Sequence, residues 1–140
     1  MGGFFFVPID TRGDGIEALA TAVPLAATGR LSMPLHHAFI RYLILRMPIE
    51  GYMSLCQVMA TATKPNYAAI KVPLSIIVGS GDMTAPMSGC DTILKTYSIK
   101  AERKKVEILD DIGHWHCIEG GDVVGRHIKN FVIGIKACES

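Results

Sequence analysis

Apolar positions in this chain change their spacing near Lys64. Before it they recur at helical intervals cut by prolines, so that Ile16 to Ala27, Leu35 to Arg46 and Ile49 to Ala62 read as helices. Pro34 and Pro48 stand where the second and third would begin, a position that tolerates a missing amide hydrogen, whereas Pro24 falls inside the first and puts its continuity in question. Phe39, Tyr42 and Leu43 gather on one side of the second helix, and Met53, Cys56 and Ala60 repeat the spacing in the third, which predicts packing faces there. Ahead of the helices, Phe4 to Ile9 is a short aromatic and β-branched run leading into the turn-rich stretch Asp10 to Gly15, the pattern of a buried strand entering a loop.

After Lys64 the texture becomes strand and helix in alternation. Val72 to Val78 is an apolar run interrupted by Pro73 and Ser75, as in a parallel strand covered on both faces. A loop, Gly79 to Pro86, precedes a helix whose stripe is Cys90, Ile93, Leu94 and Tyr97. Lys105 to Leu109 reads as the next strand and Asp110 to Gly121 as a polar loop. Val124, Ile128, Phe131 and Ile135 mark a closing helix that Asp122 is placed to cap. Two strand, loop and helix units in series predict an α/β fold.

Composition narrows the class without changing that picture. With 140 residues, 49% hydrophobic and 19% charged, the chain has the size and apolar content of one globular domain. A net charge of +1, spread without blocks, supplies no footprint for nucleic acid or an anionic membrane, and neither partner is expected. The apolar run Ala38 to Met47 is interrupted by Arg41 and Arg46 and is too short to span a bilayer. Cys56, Cys90, Cys117 and Cys138 form no CxxC pair, so they read as reduced thiols, and the expected setting is the cytoplasm.

The chemistry gathers in two loops. In open α/β sheets, reactive groups collect where strands end, because strand ends and helix starts converge there. Asp82 lies in the first such loop, between Gly81 and Pro86, and His114 lies in the second, after Gly113. One helix and one strand separate them, which permits the loops to be neighbours. A carboxylate beside a histidine fixes the imidazole tautomer and stabilises the imidazolium formed when the ring takes a proton. His114-x-His116 is a weak metal pair without a third ligand at supporting spacing, and no metal or cofactor is expected. His36, His37 and His127 read as helix-face residues.

The run Val72 to Pro86, VPLSIIVGSGDMTAP, resembles the penultimate strand and acid loop of α/β hydrolases, and Ile108 to Glu119, ILDDIGHWHCIE, resembles their histidine loop. The segment Met47 to Tyr52, MPIEGY, with Cys56 after it, resembles the cap of 3-oxoadipate enol-lactonases. The resemblance implies the C-terminal part of that fold: about three parallel strands, with residues 4–9 a core strand, 10–69 a helical cap, and 70–136 the last strands and helices. It implies that Asp82 orients His114 and that His114 serves as general base and then general acid in acyl transfer on an ester or lactone. Trp115 and Met83 are then candidates for the pocket wall. Glu119 matches an acidic position of the family, while Gly120 and Gly121 replace its usual proline.

The family's nucleophile occupies a G-x-S-x-G elbow, and these 140 residues contain none. Ser80 lies in the acid loop, Ser88 near a helix start and Ser54 within a helix, none of them on a strained strand-to-helix turn. The expectation is a hydrolase relative with little activity alone, whose Met1 is a misplaced start if an elbow is encoded upstream. The alternative expectation is an interaction module that self-associates or pairs with another chain through the Phe4 to Ile9 edge.

Overall fold

The computed structural model describes residues 15–138. Helices α1 (Gly15–Ala26), α2 (Pro34–Leu45) and α3 (Ile49–Thr61) come first. They are followed by strand β1 (Leu74–Gly79), helix α4 (Met87–Thr96), strand β2 (Lys104–Leu109), the single-turn helix α5 (His116–Glu119) and helix α6 (Gly121–Cys138). The strand expected at Phe4 to Ile9 lies outside the described residues. Among the described residues no helix is long and apolar enough to cross a membrane.

β1 and β2 pair in parallel, from Leu74 opposite Lys104 to Gly79 opposite Leu109. Parallel neighbours cannot be joined by a tight turn, and α4 is the crossover between them. Tyr97, which ends α4, is buried, and its hydroxyl donates to the Val72 carbonyl at 3.0 Å, tying the crossover to the start of β1. Both strands therefore deliver their carboxyl ends, and the loops that follow, to the same side of the sheet.

Two apolar clusters flank the loop that carries His114. Leu19 and Ala20 of α1 meet Ile40 and Ile44 of α2, with Tyr52 of α3 and with Trp115 and Ile118 of the histidine loop packed alongside. Leu109, Ile112 and Val124 form the second cluster, against Ile77 of β1. Trp115 and Ile112 thus anchor the two ends of the loop in separate clusters.

Three local expectations are corrected. Pro24 does not interrupt α1, which runs on to Ala26 although the proline has no N–H to give the Ala20 carbonyl one turn back. The last turn closes through the Ala27 amide to the Val23 carbonyl at 2.9 Å and the Thr28 hydroxyl to the Pro24 carbonyl at 2.7 Å. In α2 the buried stripe is Ile40 and Ile44, whereas Phe39, Tyr42 and Leu43 are exposed, and α3 buries no residue among those described. Helix α2 is apolar around most of its circumference, so spacing does not say which side the neighbour takes. Asp122 sits one residue inside α6 and not at its cap, where its carboxylate bonds Arg126 one turn on at 3.0 Å.

Candidate active site

The end of β1 turns sharply. Ser80 donates its amide to Leu109 at 2.9 Å, Gly81 to Ile112 at 2.9 Å and Asp82 to Gly79 at 3.1 Å. A Cβ at Gly79 would sit 2.1 Å from the Ile112 carbonyl oxygen, so only glycine lets the acid loop lie against the histidine loop. The turn leaves the Asp82 side chain 4% exposed, with Oδ1 accepting the amides of Thr84 at 2.9 Å and Ala85 at 2.8 Å.

Asp82 Oδ2 lies 3.0 Å from His114 Nδ1. Burial by itself pushes the Asp82 carboxyl up, but the Ala85 amide, the His114 ring and the Thr84 amide reverse this and hold it below the usual carboxylate range. An ionised carboxylate is an acceptor only, so Nδ1 carries the hydrogen. In the neutral ring Nε2 is then the basic nitrogen. The His114 side chain is 41% exposed, which leaves the ring accessible while its partner stays buried.

The position of His114 along the chain is set by a close approach of backbones. Its amide donates to the Ala27 carbonyl at 2.8 Å. Beside it, Gly113 touches Gly29: a Cβ at Gly113 would lie 2.4 Å from the Gly29 nitrogen, and one at Gly29 would lie 2.2 Å from the Asp111 carbonyl oxygen. Asp111 makes the bend at φ +59°, a left-handed conformation that aspartate tolerates better than most residues. Its amide donates to Ser80 Oγ at 2.9 Å, and its carboxylate pairs with Arg30, whose Nε donates to Oδ1 at 3.0 Å.

Of the pocket candidates, Met83 is 69% exposed next to Asp82, and Trp115 is half-buried on the α1–α2 cluster with its indole N–H unpartnered among the described residues. His116 Nδ1 bonds the His114 carbonyl at 3.1 Å, which gives that ring a structural partner. Among the described residues no three His, Cys, Asp or Glu side chains are grouped so as to hold a metal ion.

His36, His37 and His127, expected as helix-face residues, all have hydrogen-bonding or ion-pair partners. His36 Nδ1 accepts the Met33 amide at 3.2 Å at the start of α2, and His127 Nδ1 lies 3.3 Å from Glu107. His37 Nε2 lies 2.8 Å from Ser32 Oγ and 3.1 Å from Thr28 Oγ1. Thr28 donates its hydroxyl proton to the Pro24 carbonyl, so toward His37 it can only accept. The group latches the loop from Thr28 to Met33. A serine five residues before a histidine, separated by a proline, carries no periodic signal by which the sequence could have exposed it.

No protein-family model and no curated protein matches the sequence. Solved structures do. A thermophilic esterase from Thermogutta terrifontis superposes with a TM-score of 0.76 at 20% identity, over 89% of this chain and 46% of the esterase. The enol-lactonase from Burkholderia xenovorans LB400 gives 0.70 at 26% identity, over 88% of this chain and 47% of its own. The serine hydrolase CarC, involved in carbazole degradation, gives 0.60 at 17% identity, over 93% and 50%. The chain thus spans about half the length of each. A parallel strand pair bridged by a helix, an extent of about half, and neighbours that are all α/β hydrolases agree with the C-terminal portion: the chain adopts the α/β-hydrolase fold.

Proposed function

We propose that this chain is the acid and histidine portion of a hydrolase acting on small esters or lactones. The observation that carries the reading is the buried Asp82 carboxylate set 3.0 Å from Nδ1 of a half-exposed histidine. In acyl transfer, Nε2 of His114 takes the proton of an attacking hydroxyl, and Asp82 stabilises the imidazolium. The ring then returns that proton to the leaving alkoxide. The names of the neighbours, an esterase and an enol-lactonase, support the substrate class.

The nucleophile is not supplied by these residues. The sequence has no G-x-S-x-G elbow, and among the described residues His114 bonds Asp82 and no serine hydroxyl. Without a nucleophile and its oxyanion donors, little hydrolysis is expected from the chain alone. Incubation with a serine-directed fluorophosphonate tests this. The expected result is no stoichiometric labelling, and robust labelling mapped to Ser32, Ser54, Ser80 or Ser88 would overturn it.

A second reading, an interaction module, is favoured by the apolar surface of α2 and α3. Phe39, Met53, Leu55, Val58 and Met59 are each about half exposed or more, and large apolar side chains left in solvent are a feature of interaction surfaces. Sedimentation of a stable monomer at micromolar concentration would count against it.

A further inference from the structure

We infer that Glu119 is a positioning residue for His114, acting as a clip across the junction between the loop leaving α1 and the histidine loop. A single oxygen, Oε2, accepts the amide of Gly29 at 2.6 Å and the amide of Gly113 at 3.0 Å. Because neither glycine carries a Cβ, the two backbones touch and their N–H groups converge on one point, which the carboxylate oxygen fills. The next amide in the chain, that of His114, donates to Ala27, so residues 113 and 114 are bonded to residues 27 and 29 by Glu119 and by one another's backbone.

Amide bonds to a carboxylate are stronger than bonds to a neutral acceptor, and two from segments distant in sequence make Glu119 a cross-link in effect. Its other oxygen, Oε1, is buried without a hydrogen-bond partner among the described residues. The carboxylate therefore lies inside the junction, which sets it apart from an ordinary surface glutamate. Asp82 is fixed by the turn after β1 and His114 by the clip, and the two meet only if both devices hold. The inference rests on the reading of His114 as the proton carrier.

The test compares Glu119→Gln and Glu119→Ala by proton and nitrogen NMR on the whole chain. Two signals are followed: solvent exchange at the Gly29 and Gly113 amides, and the His114 Nδ1–H resonance, assigned by its loss in Asp82→Asn. Glu119→Gln keeps a carbonyl oxygen in place and is expected to retain both. Glu119→Ala removes the acceptor, and exchange at both glycines is expected to rise about tenfold or more, with the His114 resonance broadened or lost. If the alanine variant does not fold, Glu119→Asp, which retracts the oxygen by one methylene, takes its place. The His114 resonance staying sharp while the glycine amides open, or moving while they stay protected, overturns the inference. Should the wild type show no resonance that Asp82→Asn removes, the Asp82–His114 reading fails, and the clip is judged on the glycine amides alone.

Discussion

Replacing Asp82 by asparagine tests the site by changing charge and almost nothing else. Oδ1 remains and still accepts the Thr84 and Ala85 amides, but the atom facing His114 becomes an N–H donor. The ring must then give up its Nδ1 hydrogen and turn Nε2 into a donor, or lose the bond. Hydrogen bonds to a charged acceptor contribute about 1.5–3 kcal/mol against about 1 for neutral ones, and a neutral amide is less costly to bury, so the net loss is about 1–3 kcal/mol. Asp82→Ala leaves two backbone amides and an imidazole N–H unmet and is expected to lose about 3–5 kcal/mol. Urea unfolding followed by circular dichroism near neutral pH measures both.

The pH dependence supplies the sharper check. The folded-state carboxyl is held below its ordinary range, so its contribution is fully present above the unfolded pKa of about 4 and is lost as pH falls through the folded value. The gap between wild type and Asp82→Asn is therefore expected to be no smaller at about pH 5 than at neutrality and to close below about pH 4. A neutral-pH gap under about 0.5 kcal/mol, or one equally large well below the carboxylate range, would refute the account of Asp82 as an ionised, buried acceptor.

Other substitutions probe the frame around the site. Ile40 is 0% exposed between α1 and α2, and Ile40→Ala is expected to cost about 3–4 kcal/mol in the same unfolding assay. Gly29→Ala drives a methyl into backbone that cannot move aside and should cost about 3 kcal/mol or prevent folding. Gly125→Ala, inside α6 with nothing within 4 Å of the added carbon, should gain about 0.5–1 kcal/mol, so equal effects at the two glycines would contradict the close-approach argument. His37→Ala releases the latch on Thr28 and Ser32 and is expected to speed amide exchange at Leu31 and Ser32 while leaving Ile40 protected.

The sequence by itself determined the alternating units after Lys64. The apolar run before Gly79 and the stripe from Cys90 to Tyr97 are local patterns, and a parallel pair with a helical crossover follows from them. It also pointed to the two loops that hold Asp82 and His114, because strand ends are where an α/β sheet gathers polar groups. It did not show which stripe of α2 is buried, since an all-round apolar helix takes its inner face from whatever packs against it. Nor did it give His37 its hydroxyl partners or Glu119 its two amides, because Gly29 and Gly113 come together only when the loop after α1 is laid on the loop after β2. Periodicity records what each segment prefers along its own axis. Contacts between loops far apart in the chain leave no such record, and they exist only in the folded molecule.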